Sequence, residues 1–370
     1  MHRDHWPRLY RMSAIPNLTV AHLTPPGRGA VATLVVEGPG AARLVRSLLH
    51  PQPQPPAEDA VGRLTVGRFG SEPGEQVVVR CRSEESVELH CHGGLAAAAM
   101  IQQTLVGHGC RVATWQQWVA GRAATTIASE AQVALAAAPT QRTAAILLDQ
   151  YHGALERALE EIEAAVARGD TAFARQQAGI VLARADLGRH LTRPWDVVLA
   201  GAANVGKSSL INALVGYRRV IVHDSPGTTR DVVTVVTAID GWPVALSDTA
   251  GFGASGDPLA EAASAAARQK LSAADLIVLV FDGGVPWSRA DQAFLDTWPG
   301  GIVVHTKSDL PRPPGPRPPG LAVSSLTGEG IDLLLEAISH RLVADPPPPG
   351  AAVPLADHHI QRISSVTHSG

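Results

Sequence analysis

The chain has 370 residues, 45% of them hydrophobic, and a formal net charge of -3 from 31 basic and 34 acidic residues. This length suits two or three folded domains, and the near-neutral charge excludes attraction of the whole protein to nucleic acid or to an anionic membrane. The three cysteines are too few and too irregularly spaced for a disulfide framework, which favours the cytoplasm. The first segment lacks the apolar region of a secretion signal, and no stretch approaches the roughly 20 apolar residues of a membrane span.

The first part of the chain is predicted to be a small α+β domain. Residues 1–16 are expected to be disordered or a misassigned start, because Met12 opens a smoother sequence. Residues 17–118 then mix short β-rich runs with helical stretches. The proline run PQPQPP indicates an exposed loop, since proline cannot donate to a strand ladder. Strands are predicted at 17–21, 30–37, 75–80 and 86–89, and helices at 41–49 and 95–108.

A helical domain is predicted next, over residues 119–193. Its sequence is rich in Ala, Leu, Glu, Gln and Arg at helical spacing. Gly169 is expected to end one helix and Asp170 to cap the next. An apolar stripe indicates a packing face, with a partner-binding helix as the alternative. The stripe consists of Ile146, Leu147, Tyr151, Leu155, Leu159 and Ile162.

A P-loop is predicted where a β-branched run, 196–200, leads into Gly201-x4-Gly206-Lys207-Ser208 and a helical pattern follows. Backbone N–H groups of such a turn hold phosphate oxygens. Lys207 is expected to place its charge on the β- and γ-phosphates, and Ser208 to bind Mg2+. A chance glycine-rich turn is the alternative. The nucleotide-binding residues predicted here are Gly201, Asn204, Val205, Gly206, Lys207, Ser208 and Ser209.

Two later stretches are predicted to approach the same phosphates. The polar run SPGTTRD contains Thr228 and Thr229, which are placed to reach Mg2+ or the γ-phosphate; alone it would be an ordinary loop. A hairpin signal at Asp240-Gly241 then joins two β-runs. The second run ends in the nucleotide-binding sequence Asp248-Thr249-Ala250-Gly251, in which Asp248 is expected to hold Mg2+ and the Gly251 N–H to sense the γ-phosphate. The predicted catalytic residues are Lys207, Thr229, Asp248 and Gly251, and the predicted Mg2+ ligands are Ser208, Thr229 and Asp248.

The base-binding residues are predicted at the ends of the last strands. The run GIVVHTKSD delivers Thr306, Lys307 and Asp309 to the edge where doubly wound sheets bind ligands. The Asp309 carboxylate can accept from both N1–H and the N2 amine of guanine, a donor pair that adenine lacks. Lys307 is expected to pack over the base. Thr306 stands where the usual N-K-x-D pattern has asparagine, which weakens one contact. Ser324, Ser325 and Leu326 fit the loop whose backbone contacts the guanine O6.

These elements predict an α/β fold for residues 194–345: a Ras-like P-loop GTPase domain with a mostly parallel six-stranded sheet and helices on both faces. Residues 346–370 are expected to form a proline-rich linker and a short tail.

With these motifs, the chain resembles the MnmE (TrmE) family of tRNA-modification GTPases. The resemblance rests on LTPPGRGAVATLVVEGPGA, VELHCHGGLAAAAMIQQTL and the switch-like SPGTTRDVV, and it covers most of residues 18–345. It implies a folate-binding, dimerising N-terminal domain, a helical domain and a G domain. The implied activity is GTP hydrolysis coupled to modification of the tRNA wobble uridine, with a tetrahydrofolate derivative and a GidA (MnmG)-like flavoprotein as partner.

The resemblance also implies individual roles. Asn204 matches the asparagine that helps bind K+ near the phosphates, and K+ would supply charge where Phe252 replaces the water-orienting glutamine of Ras-like enzymes. Arg28, His92 and Gly93 would line a folate pocket, with a purely structural turn as the alternative. A metal site at His90-Cys91-His92 is not expected, because alternating strand positions face opposite sides.

Departures from the family leave two alternatives. The sequence stops at SSVTHSG, where family members continue through helices to a cysteine-containing tail, so a divergent, C-terminally truncated member is expected. Ala265 stands at the position of the glutamate that orients the attacking water, and Glu261 lies one helical turn away. Slow hydrolysis is therefore expected. The alternatives are a degenerate paralogue that acts as a GTP-dependent scaffold or switch, and a ribosome-assembly GTPase of the Era or Der type.

Overall fold

The chain folds around two separate β-sheets, seen in a computed structural model that describes residues 17–25, 29–51, 61–217, 234–248 and 268–368. It divides into two compact units, Met1–Ala123 and Ala124–Gly370. None of the helices in the described ranges has the length and apolar character that spanning a bilayer requires.

The first unit is an α+β domain, as the sequence predicts. Its seven-stranded sheet has the order β3-β4-β5-β6-β2-β1-β7 and is antiparallel except for the β1–β7 pair. Leu34, Leu89, Ile101 and Leu105 are fully buried in its core. The strands are β1 (Thr19–His22), β2 (Val31–Glu37), β3 (Leu49–His50), β4 (Leu64–Phe69), β5 (Glu75–Ser83), β6 (Ser86–His92) and β7 (Arg111–Ala113), and the helices are α1 (Ala41–Ser47), α2 (Leu95–Gly107) and α3 (Trp115–Ala120).

The second unit begins with helices that bury an apolar stripe. The prediction of a packing face is confirmed for every member of the stripe except Tyr151, which is 38% exposed. Asp170 caps a helix as predicted, since its carboxylate accepts the Phe173 N–H and Gly169 has a φ of 80°. These helices are α4 (Thr126–Leu135), α5 (Gln141–Tyr151), α6 (Ala154–Ala167), α7 (Thr171–Leu182) and α8 (Ala185–Arg189).

The second sheet has six strands in the order β13-β12-β11-β8-β10-β9 and is parallel except for β9, which confirms the predicted fold class. Asp240 and Gly241 both have positive φ, 50° and 78°, as the predicted tight hairpin turn requires. The strands are β8 (Trp195–Ala200), β9 (Thr234–Ile239), β10 (Trp242–Asp248), β11 (Leu276–Asp282), β12 (Ile302–Thr306) and β13 (Leu321–Ala322), and the helices are α9 (Lys207–Tyr217), α10 (Arg289–Thr297) and α11 (Ile331–Leu342).

The segment after α11 differs from the linker and short tail expected at 346–370. It ends in a helix, α12 (Asp357–His368), whose Ile363 is fully buried in the same apolar cluster as Leu159 and Ala178. The buried amide of Gln150 holds the preceding residues, donating to the Ala351 carbonyl at 3.0 Å and accepting the Val353 N–H at 3.1 Å. Apolar burial and these hydrogen bonds hold residues 346–368 against the helices, although the proline content of this segment predicts a linker.

Candidate nucleotide-binding site

The P-loop follows β8 and leads into α9, as predicted. Gly201 packs so closely beneath β11 that a Cβ there would overlap the Val280 carbonyl oxygen, so only glycine fits. Asn204 and Gly206 have φ values of 62° and 98°, which turn the loop through left-handed backbone conformations. Val205 is buried, whereas Ser208 and Ser209 are exposed at the start of the helix. The loop therefore presents its helix N-terminus to solvent, where phosphate would bind.

Lys207 lies within the concavity of this loop. Its side chain is 6% exposed, and its Nζ donates to the carbonyl oxygens of Gly201 and Ala202 at 3.2 and 3.0 Å. The same Nζ lies 3.6 Å from Oδ1 of Asp248. Two carbonyls and a carboxylate hold this buried ammonium at a fixed position, from which it can bind a phosphate oxygen in the loop.

Ser208 and Asp248 meet although they are 40 residues apart. The Ser208 Oγ donates to Oδ2 of Asp248 at 2.7 Å. Oδ1 of Asp248 is buried and has no hydrogen-bond partner among the described residues. A hydroxyl and a carboxylate with an unsatisfied buried oxygen are the hard oxygen donors that Mg2+ prefers, so the residues present fit that ion.

Lys270 is a cation beside this pair that the sequence reasoning missed. Burial lowers its pKa, while the nearby carboxylates of Asp196 and Asp248 oppose that effect. Its position about 20 residues beyond Asp248 gave no local signal, because only the fold brings it close to Asp196 and Asp248.

The predicted guanine-binding residues converge after β12 and β13. Asp309 is exposed, and its Oδ1 accepts a hydrogen bond from the fully buried Ser324 hydroxyl. That hydroxyl in turn accepts the backbone N–H groups of Leu326 and Thr327, each at 3.2 Å. The carboxylate is therefore held by the loop that follows β13. The side chains of Ser325 and Leu326 are half-buried and 85% exposed, respectively.

Lys307 is also positioned by a partner that the sequence did not indicate. Its Nζ pairs with Asp282, the last residue of β11, and its φ is 58°. An ion pair that fixes the ammonium leaves the aliphatic part of the side chain to pack against a flat base.

Thr306 acts within the protein rather than on the surface of the site. It is 2% exposed, and its hydroxyl lies 2.6 Å from the Val205 carbonyl oxygen and 3.1 Å from that of Phe281. The prediction considered only a weakened contact at this position. In the structure the hydroxyl instead ties the end of β12 to the P-loop, joining the phosphate and base halves of the site.

The predicted folate residues give a partial arrangement. His92 is exposed and its Nδ1 contacts the Glu75 carboxylate, while Gly93 donates its N–H to the Ala30 carbonyl at 3.0 Å. A Cβ on Gly93 would overlap the Gly29 carbonyl oxygen, so this turn requires glycine for packing alone. The neighbouring Cys91 is buried and His90 bonds to Thr33, so the His90-Cys91-His92 run does not converge on one point.

Several predicted residues lie outside the described ranges. They are Arg28, Thr228, Thr229, Thr249, Ala250, Gly251, Phe252, Glu261 and Ala265.

The fold and the arrangement at its P-loop edge define the class of P-loop GTPases, which bind GTP and GDP with Mg2+. Two family models match the chain: "50S ribosome-binding GTPase" over residues 196–306 and "GTP-binding protein TrmE N-terminus" over residues 18–115.

Similar proteins extend this result across both units. The tRNA modification GTPase MnmE of Methylobacterium sp. (strain 4-46) is 34% identical over 363 residues, which span 85% of this chain and 79% of that protein. The protein of the same name from Parasynechococcus marenigrum (strain WH8102) is 31% identical over 367 residues, spanning 87% and 80%. The chain belongs to the MnmE family of tRNA modification GTPases.

Proposed function

We propose that this protein hydrolyses GTP and couples the hydrolysis to modification of the wobble uridine of tRNA. The observation that carries the proposal is the convergence of Lys207, Ser208, Asp248 and Asp309 at one edge of the second sheet. The parallel strands β8, β10, β11 and β12 all end at this edge, which is where such sheets bind ligands. The family membership reported above supports the tRNA part of the proposal.

The described residues divide the chemistry among themselves. The P-loop N–H groups and Lys207 bind and orient the phosphates, which is the larger part of catalysis in phosphoryl transfer. Ser208 and Asp248 would hold Mg2+, which supplies charge neutralisation at the phosphate oxygens. Asp309 selects guanine, and Thr306 keeps the base-binding end in register with the P-loop through the Val205 carbonyl.

The remaining site assignments are part of the same proposal. Thr229 and Gly251 would complete the catalytic set, Thr228, Thr249 and Ala250 would contact the nucleotide, and Asn204 would contribute to a K+ site. The exposed, left-handed position of Asn204 beside the phosphate-binding turn supports this role.

The N-terminal unit is proposed to bind a tetrahydrofolate derivative near His92 and Gly93 and to dimerise, with a GidA (MnmG)-like flavoprotein as a partner. We also propose the division into domains at 17–118, 119–193 and 194–345. The separate apolar cluster around Leu89 supports the first boundary, whereas the cluster around Val278 also includes Ile146 and Leu187 of the helical range.

GTP turnover in matched K+ and Na+ buffers tests the proposal, together with titration of fluorescent GTP and ATP analogues. We expect guanine-selective binding and turnover that K+ stimulates, with turnover lost in Asp248→Asn. Tight GTP binding without turnover in either salt would instead support the nucleotide-dependent scaffold, and equal binding of ATP would refute the guanine assignment.

The tRNA part needs its own measurement. Mass spectrometry of tRNA from cells lacking the gene should show that the wobble uridines have lost their modification. The wild-type gene should restore the modification, while the Asp248→Asn gene should not. Unchanged wobble uridines in the deletion strain would contradict this part without affecting the GTPase result.

A further inference from the structure

Three side chains converge between α4 and α12, away from the nucleotide site. Glu130 comes from α4, while His358 and His359 are neighbours in the first turn of α12. Nε2 of His358 lies 3.1 Å from Oε1 of Glu130, and Nε2 of His359 lies 2.9 Å from Oε2 of Glu130. The three ligand atoms, one from each residue, all lie within 4.8 Å of one another. Such mutual distances suit atoms that share one cation.

The contact between His359 and Glu130 is not an ordinary hydrogen bond. The His359 side chain is only 3% exposed, yet its Nε2 has no hydrogen-bond partner among the described residues. Oε2 of Glu130 is buried and unpartnered in the same sense, although the two atoms are 2.9 Å apart. Buried polar atoms without partners are rare, and two that face one region without pointing at each other indicate a missing third atom.

We propose that Glu130, His358 and His359 form a Zn2+ site, with water as the fourth ligand. Two imidazole nitrogens and one carboxylate oxygen form a donor set that binds Zn2+ in proteins. Zn2+ prefers four ligands in a tetrahedron, and the short distances among these three atoms are compatible with that arrangement. The carboxylate offsets one of the two positive charges. The exposed side of the site, at the half-exposed His358, leaves room for the water.

The surroundings of His359 bear on this assignment. Its Nδ1 accepts the Leu355 N–H at 3.2 Å, so Zn2+ binding at Nε2 moves the ring proton to Nδ1 and gives up that hydrogen bond. The Leu355 N–H and the Nδ1–H then face each other as two donors, a cost that the bond from Nε2 to Zn2+ has to exceed.

The site would fasten α12 to the helical domain. Beyond its first turn, the helix already buries Ile363, and an Arg362 guanidinium nitrogen lies 2.7 Å from Oε1 of Glu163. A metal bond between the first turn of α12 and α4 would fix the helix at its N-terminal end as well. Zn2+ binding is therefore expected to raise the melting temperature of the full chain.

Isothermal titration of the full chain with ZnCl2 tests the site, after treatment with chelator and with excess Mg2+ and GDP present to saturate the nucleotide site. His358→Gln is the main variant, because an exposed side chain can be replaced without disturbing the core. Glu130→Gln is the second variant, and His152→Gln, an exposed histidine outside the cluster, is the matched control. Circular dichroism of the metal-free proteins establishes that each variant is folded.

We expect one Zn2+ site in the wild type and in His152→Gln. In His358→Gln and Glu130→Gln the affinity should fall at least about tenfold, the loss that even outer-shell partners of a metal site cause. The Zn2+-dependent rise in melting temperature should disappear with it. Equal affinity in all four proteins, or no Zn2+ binding by the wild type, would overturn the proposal and leave Glu130 as a charged partner of two histidines.

Discussion

Replacing Asp309 by asparagine should change the base preference of the site without disturbing its structure. Asp309 is exposed, and its structural partner is the Ser324 hydroxyl, which donates to Oδ1. Asparagine keeps an oxygen that can accept this bond, so the loop around Ser324 remains in place. The amide NH2 of asparagine, however, would face the guanine N–H groups from which the carboxylate accepts hydrogen bonds.

The size of the effect follows from the bonds that are lost. A hydrogen bond to a charged group is worth about 1.5–3 kcal/mol, and the carboxylate accepts two of them from N1–H and the N2 amine. Loss of about 3 kcal/mol weakens GDP binding by more than about 100-fold. Xanthine carries a carbonyl oxygen in place of the N2 amine, so it can accept a hydrogen bond from the amide NH2 of the new asparagine. Xanthosine diphosphate should therefore bind the variant more tightly than the wild type.

Competition titrations with a fluorescent nucleotide measure both affinities. Ser308→Ala is the matched control, because Ser308 lies in the same loop and bonds at 3.1 Å to Glu329 rather than to Asp309. It should leave the ratio of GDP to xanthosine diphosphate affinity unchanged. If Asp309→Asn weakens GDP less than about threefold and does not improve xanthosine diphosphate binding, Asp309 does not bind the base.

Three other perturbations test separate parts of the structure. Gly201→Ala should lower the free energy of unfolding by about 1–3 kcal/mol, because its Cβ would overlap the Val280 carbonyl oxygen. The control Gly216→Ala, whose Cβ meets open space in α9, should not destabilise the protein. Urea titration measures both, and equal unfolding midpoints for the two variants would contradict the close packing at Gly201. Ser208→Ala should lower GTP turnover at least about tenfold at saturating Mg2+ while GDP binding in EDTA is retained, and a parallel loss of both would indicate misfolding instead. Burial lowers the pKa of His359 to about 4, below the value of about 6.5 expected in the unfolded chain. The metal-free protein should therefore keep its full free energy of unfolding above about pH 6.5 and lose part of it as the pH drops toward 4. Urea unfolding should show a shallower loss in His359→Gln than in His152→Gln, and identical slopes would refute this expectation.

Local patterns were enough to predict much of this protein. The strand, glycine turn and helix of the P-loop, the Asp240-Gly241 hairpin and the Asp170 cap all depend on residues that are close in sequence. The backbone conformations that these residues favour are set by their own sterics and hydrogen bonds. For this reason the succession of strands along the chain in the second unit followed from apolar runs and turn residues.

Weaker patterns were missed where packing decides the structure. The strand β4 has exposed residues at Leu64 and Val66, and β3 and β7 are only two and three residues long, so none gives a clear periodic signal. Tyr151 continues the helical spacing of its apolar stripe, but the helix α5 ends there and the ring is left partly in solvent.

The sequence by itself determined the fold class, the phosphate-binding turn and the residue types that we propose select guanine, because each is encoded within a short stretch of chain. Only the tertiary structure decided how distant groups share one environment. It placed the Ser208 hydroxyl against Asp248, turned the Thr306 hydroxyl into a link to the P-loop, and brought His359 to Glu130 across more than 200 residues. These contacts depend on how strands and helices pack, and long-range packing leaves no periodic signal in the sequence.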